Sequence, residues 1–237
     1  MTSLDIAGGR VLDPGHGIDA TATVSIGGGF ISSIGIGPPN AGRRDDREVI
    51  DASGLLVTPG LVDLHTHLFT GVSHYGVEPD AHCLSRGVTT AVDAGSAGAQ
   101  TFPALRRYVI EPSETRIMAF LHIAVQGMIT NLVGELEDIR WASPQQAIAR
   151  AREHADLIVG IKVRLGYQMG GNDPALALRL ALEATDELGL PLMVHVIDMA
   201  QPVSDEVAGQ RRILTSRGPP VTVFARSAAG SSESPDP

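Results

Sequence analysis

A chain of 237 residues, 43% hydrophobic and 19% charged, holds enough apolar material for one large domain or two small ones, and its 27 glycines and 15 prolines are scattered, which excludes a collagen-like or wholly disordered polymer. The formal charge of -9 repels phosphate backbones and sets nucleic acid aside as a partner. A single cysteine, Cys83, allows neither an internal disulfide nor a zinc ribbon, and without a basic, apolar leader or a run of about 18 apolar residues the chain reads as cytoplasmic, with no membrane association.

From Ser3 to about Pro59 the pattern is one of short strands: Val24 and Ile26 alternate before Gly27-Gly28-Gly29, and Phe30-Ile31 and Ile34 follow. The rhythm then changes. Apolar runs recur at Leu61 to His67, Val88 to Val92, Arg116 to Ile123, Leu157 to Arg164 and Pro191 to Val196, with helix-like segments between them. One helix is expected after Ser143, with Pro144 at its first position. A second is expected from Pro174 to Leu188, with Asp173 as N-cap and Gly189 as stop. Strands rich in Val, Ile and Leu that alternate with helices imply parallel β/α units.

A doubly wound sheet and a β/α barrel share this rhythm. The first strand-to-helix junction carries Leu64-His65-Thr66-His67-Leu68 instead of a glycine-rich phosphate loop, which favours the barrel. Beyond Ala200, Ser204-Asp205-Glu206 begins a helix that runs to Leu214, Val221 to Phe224 is a candidate sixth strand, and Ser227 to Pro237 reads as a disordered tail. The expected organisation is a β segment over residues 1–58, an incomplete β/α barrel over 59–200 and a divergent tail over 201–237.

The chemistry-bearing residues stand out against this frame. His65 and His67 are two apart, so one strand presents both imidazoles on one side, which is half of a metal site. Of 18 cationic residues, 17 are arginine and one, Lys162, is lysine, and it lies inside the apolar run Leu157 to Arg164. An unpaired ammonium there is costly. A primary amine can instead become neutral and combine with carbon dioxide as a carbamate, which arginine cannot do. His195 ends the next apolar strand. Arg164 shares a strand face with Lys162, either as a clamp for a substrate carboxylate or as half of an internal salt bridge. His122 ends the third strand, at the mouth or in the core. His74 and Tyr75 fall on the loop after the first strand. Cys83, His82 and His154 are placed on helices, and His16 in the first β segment, all without a catalytic role.

The run Asp51-Ala52-Ser53-Gly54-Leu55-Leu56-Val57-Thr58-Pro59-Gly60-Leu61-Val62-Asp63-Leu64-His65-Thr66-His67 resembles the signature that opens the barrel of amidohydrolase-superfamily metalloenzymes of the dihydroorotase and deacetylase type. The stretches Tyr75 to Asp80, Arg86 to Thr90 with Val92 to Ser96, Gly134 to Asp138 and Gly160 to Arg164 are similar to the dihydroorotase-like amidohydrolase/deacetylase branch, and the resemblance runs from about Ser3 to Val196.

The resemblance implies an α/β fold: a partial (β/α)8 TIM-type barrel of about five to six units beside a small N-terminal β-sandwich segment. It implies a two-metal Zn2+ centre in which His65 and His67 hold one metal, the Lys162 carbamate bridges both, and His195 holds the second. The family's histidine after the sixth strand and aspartate after the eighth have no match here, so the general base is unassigned. A complete barrel needs about 250 residues, and the chain ends 41 residues after Val196, so the barrel is expected to be truncated. The expected function is metal-dependent hydrolysis of an amide or ester, of deacetylase type, on a small carboxylate-bearing metabolite, with impaired turnover. The alternative is a non-catalytic barrel fragment that only binds. A homo-oligomer is compatible with either.

Overall fold

Glycine decides where the first segment turns. β1 (Leu4–Asp13) pairs antiparallel with β2 (Ile18–Gly27), which folds back onto β3 (Phe30–Ile36) through Gly28 and Gly29. Both glycines take positive φ, 64° and 84°, the geometry that a two-residue hairpin requires and that side chains resist. β4 (Glu48–Asp51) and β5 (Leu56–Val57) both pair parallel with β1. One face of this five-stranded sheet buries Val11, Ala22 and Val24.

The computed structural model describes residues 3–37, 47–130, 132–166, 173–196 and 221–225. The chain divides into two compact units, Met1–Leu61 and Val62–Pro237. The expected helix from Ser204 to Leu214 and the tail from Ser227 lie outside the described residues.

The second unit alternates strand and helix: β6 (Leu61–Thr66), α1 (Pro79–His82), β7 (Val88–Gly98), α2 (Phe102–Leu105), β8 (Arg116–His122), α3 (Pro144–Glu153), β9 (Ile158–Leu165), α4 (Pro174–Leu188) and β10 (Leu192–Val196). The sheet order is β6-β7-β8-β9-β10, and β7 through β10 are parallel. This is a partial β/α barrel of TIM type. Among the described residues no helix is long and apolar enough to cross a membrane.

The helix boundaries follow from their caps. Asp173 accepts from the Leu176 N–H at 2.8 Å, Pro174 occupies the first turn, and Gly189 ends α4 at φ 66°. The Ser143 hydroxyl accepts from Gln146 at the start of α3 in the same way. The last strand departs from the expected pattern. β11 (Val221–Ala225) pairs antiparallel with β10, so it does not continue the run of parallel units.

Period-two alternation sorts the side chains between two faces. Ile161, Val163 and Leu165 of β9 pack with Ala177, Leu178 and Ala181 of α4 on the helix-bearing face. The other face carries a smaller apolar cluster of Val92, Ala94, Phe120 and Met193. Gly160 stands opposite Phe120 in register, and a Cβ there would collide with the Phe120 ring. Gly160→Ala is therefore expected to cost about 1–3 kcal/mol, while Gly27→Ala, which meets nothing within 4 Å, stays within about 0.5 kcal/mol of the parent. Urea unfolding of the two variants checks the contrast, and equal effects would refute this packing.

Candidate functional site

The strand register brings the chemistry together. His122, Lys162 and Met193 stand in one row across β8, β9 and β10, and Arg164 and His195 stand in the next. On β6, Asp63 and His65 alternate with the exposed Val62 and Leu64, and His67 follows the strand. The His65 ring centroid lies 5.6 Å from that of His67 and 5.6 Å from that of His195, edge to face in both cases. Residues far apart in sequence thus form one imidazole cluster.

Burial sets the charge state of this cluster. Desolvation, aided by the neighbouring Lys162, pushes His65 and His195 down to about 4 and His67 to about 3. All three imidazoles are neutral at pH 7, so each keeps the lone pair that a metal ligand needs.

The Lys162 side chain is fully buried, and its Nζ lies 3.3 Å from Met193 Sδ. Burial first, and the Arg164 charge second, lower its pKa to about 7, against the opposing pull of Asp93 and Glu135. Burial thus favours the free base well below the pH at which an exposed lysine releases its proton. Its stem passes directly over Gly95, where a Cβ would approach Lys162 Cγ to 2.5 Å.

Arg164 faces inward as well, and its guanidinium is committed. It donates from Nε and Nη2 to the two oxygens of Glu135, each at 2.7 Å, and from Nη1 to the Tyr75 hydroxyl at 3.1 Å. Both members of the pair are almost fully buried. Burial alone would raise Glu135, but the nearby His122 and the hydrogen bonds and charge of Arg164 overrule it and hold the carboxyl at about 2. This is the internal salt bridge of the two readings open for Arg164, and a substrate carboxylate would have to displace Glu135 to reach the guanidinium.

His122 is fully buried. Its Nδ1 accepts from the Ala124 N–H at 3.0 Å, so the ring carries its proton on Nε2, which lies 3.5 Å from Glu135 Oε1. Tyr75 packs between the rings of His67 and His74, at 5.4 and 3.8 Å. Cys83, His82 and His154 sit at or beside the ends of α1 and α3, away from this cluster, and His16 lies in the β1–β2 turn.

Three residues of this region carry no role in the sequence reading: Asp93, Ser96 and Glu135. Asp93 Oδ2 accepts from the Leu68 N–H at 2.8 Å, and Oδ1 accepts from the Gly95 and Ser96 N–H groups at 3.1 and 2.7 Å. Ser96 Oγ lies 2.9 Å from His67 Nδ1. Their only trace in the sequence is membership of the stretches Val92 to Ser96 and Gly134 to Asp138.

His65, His67 and His195 are donors of a type that metal ions take. Among the described residues no three His, Cys, Asp or Glu side chains meet closely enough to hold an ion by themselves. Three imidazoles and a buried amine of lowered pKa do share one face, and a carbamate on Lys162 would add two oxygen donors.

A model of the amidohydrolase family matches residues 48–159. A deacetylase of Brucella anthropi is 38% identical over 180 residues, covering 75% of this chain and 44% of the relative. A deacetylase of Agrobacterium fabrum is 40% identical over 152 residues, covering 64% of this chain and 37% of the relative. The chain thus spans less than half the length of these curated relatives. Among solved structures, a dihydroorotase superposes with TM-score 0.73 at 33% identity, covering 82% of this chain and 51% of that one. An adenine deaminase superposes with TM-score 0.71 at 25% identity, covering 88% and 54%.

The buried amine makes a directional prediction. The unfolded lysine keeps its proton up to about 10.5, whereas the folded one releases it near 7. The unfolded state therefore binds more protons across this window, and stability rises with pH through it. Lys162→Met removes the penalty and is expected to stabilise the metal-free chain by about 2–4 kcal/mol at neutral pH, with the gap closing towards pH 10.5. Urea unfolding in carbon dioxide-free buffer measures both curves, and parallel curves would contradict a desolvated amine.

Proposed function

Because the chain belongs to the amidohydrolase superfamily, we propose that it is a zinc-dependent hydrolase of deacetylase type, acting on an amide or ester bond of a small carboxylate-bearing metabolite. The observation that carries the reading is the convergence of His65, His67 and His195, all neutral, on the face that buries Lys162. The names of the relatives, deacetylase and dihydroorotase, support hydrolysis at a carbonyl carbon.

In this reading His65 and His67 would hold one metal, His195 would hold a second, and a carbamate on Lys162 would supply oxygen donors to both. When bound, the metal pair lowers the pKa of a water and polarises the substrate carbonyl. The chain's own residues prepare that chemistry. Burial keeps the imidazole lone pairs unprotonated. It also keeps the Lys162 amine nucleophilic enough to add to carbon dioxide: the nitrogen bonds the carbon, one proton leaves to solvent, and an anionic carbamate results. The Arg164–Glu135 pair fixes the Glu135 loop against β9 and neutralises its own charges next to the amine.

Proton transfer to the leaving group is the step without an assigned residue. The two buried carboxylates of this face are committed, Asp93 to three backbone amides and Glu135 to Arg164. That commitment favours the second reading, a chain that binds metal and ligand with little turnover.

The purified chain, supplied with zinc and 13C-bicarbonate, is expected to bind zinc and to show a carbamate carbonyl resonance. Lys162→Arg abolishes the resonance and weakens zinc binding at least about tenfold. Hydrolysis of N-acetyl and O-acetyl carboxylates is expected to be slow and zinc-dependent. Undiminished zinc binding and hydrolysis in Lys162→Arg would sink the carbamate assignment, and hydrolysis unaffected by chelators would sink the metal reading altogether.

A further inference from the structure

His122 has a donor to spare. The residue is fully buried at the end of β8, and its Nδ1 accepts from the Ala124 N–H at 3.0 Å. A backbone amide can only donate, so Nδ1 holds a lone pair and the ring proton sits on Nε2. That Nε2–H has no hydrogen-bond partner among the described residues. Glu135 Oε1 stands 3.5 Å from it, too far for a good hydrogen bond, and both Glu135 oxygens already take Arg164 N–H groups at 2.7 Å.

The spare donor shares its place with the buried amine. His122 and Lys162 are register partners on β8 and β9, so their side chains leave the same face of the sheet. Both crowd Gly95: a Cβ there would lie 2.5 Å from Lys162 Cγ and 3.4 Å from His122 Cδ2, the ring carbon bonded to Nε2. Glu135 links them as well, since it stands beside Nε2 and its charge also reaches the Lys162 ammonium. Arg164, the other cation of this face, is turned to Glu135 and Tyr75.

We propose that the His122 Nε2–H is the hydrogen-bond donor that holds a carbamate formed on Lys162. The lysine nitrogen bonds the carbon of carbon dioxide, one C=O electron pair moves onto oxygen, one proton leaves to solvent, and the resulting anion carries the oxygen acceptors that an ammonium lacks. A charge-assisted bond to such an oxygen is stronger than one to a neutral acceptor, and it satisfies the buried donor at the same time. The proposal rests on the reading of Lys162 as a carbamate; the tautomer of His122 does not.

The test compares the full chain, labelled with 15N at histidine and supplied with zinc, in carbon dioxide-free buffer and in rising 13C-bicarbonate. The carbamate is read from the 13C resonance that Lys162→Arg removes, and His122 from its Nε2–H cross-peak, identified by its loss in His122→Phe or His122→Gln. The cross-peak is expected to move as the carbamate resonance grows, with one midpoint in bicarbonate, and to stay still in Lys162→Arg. His122→Phe is expected to raise that midpoint about 10–100-fold, while His122→Gln, which keeps an N–H near the Nε2 position, recovers most of the loss. A carbamate resonance that grows while the His122 cross-peak stays still would overturn the proposal and leave the carbamate standing. Absence of the resonance in the parent would overturn both. The parent titration decides even if His122→Phe fails to carbamylate because it fails to fold.

Discussion

The desolvation of one amine governs the inner face of this sheet. Lys162 sits mid-strand with apolar neighbours along its own chain, and its charge would be stranded there. The Arg164 charge adds to that cost, and other neighbours lower it. Asp93 and Glu135 lie near enough to oppose the desolvation, Met193 offers a soft contact, and Gly95 gives up its side chain so that the stem can pass. The amine in turn presses on the cluster, since its charge helps to keep His65, His67 and His195 unprotonated.

The helix-bearing face explains how such an inner face is tolerated. Stability comes from the larger cluster, in which alternate residues of β8, β9 and β10 pack against α3 and α4. The same strands can then spend their other face on polar groups, provided that each is satisfied. Arg164 and Glu135 meet this condition by pairing with each other, and Asp93 meets it with three backbone amides.

Much of this was legible in the sequence because it is encoded locally. Ser143-Pro144 and Asp173-Pro174 start helices, Gly189 stops one, and the apolar runs at Arg116, Leu157 and Pro191 become β8, β9 and β10. His65 and His67 declared themselves by spacing, and Lys162 by being the lone lysine. Asp93, Ser96 and Glu135 did not, because each acts on a partner at least 25 residues away through a turn whose course the sequence pattern does not describe. β7 also runs on to Gly98, well past Val92, since the turn at Gly95 bends the strand without ending it. The direction of β11 was equally hidden: a short apolar run such as Val221 to Phe224 has the same pattern whether it pairs parallel or antiparallel.

The preference for arginine has a chemical meaning once Lys162 is seen in its pocket. Guanidinium groups do not add to carbon dioxide at neutral pH, and the chain's only side-chain amine is the one whose burial frees its lone pair. Among its side chains the protein offers carbon dioxide a single amine. Full burial adds a size filter, because a reagent must be small enough to reach a nitrogen enclosed by Met193, Gly95 and the histidine cluster. Selectivity of modification is thus written into the composition and into the packing at once.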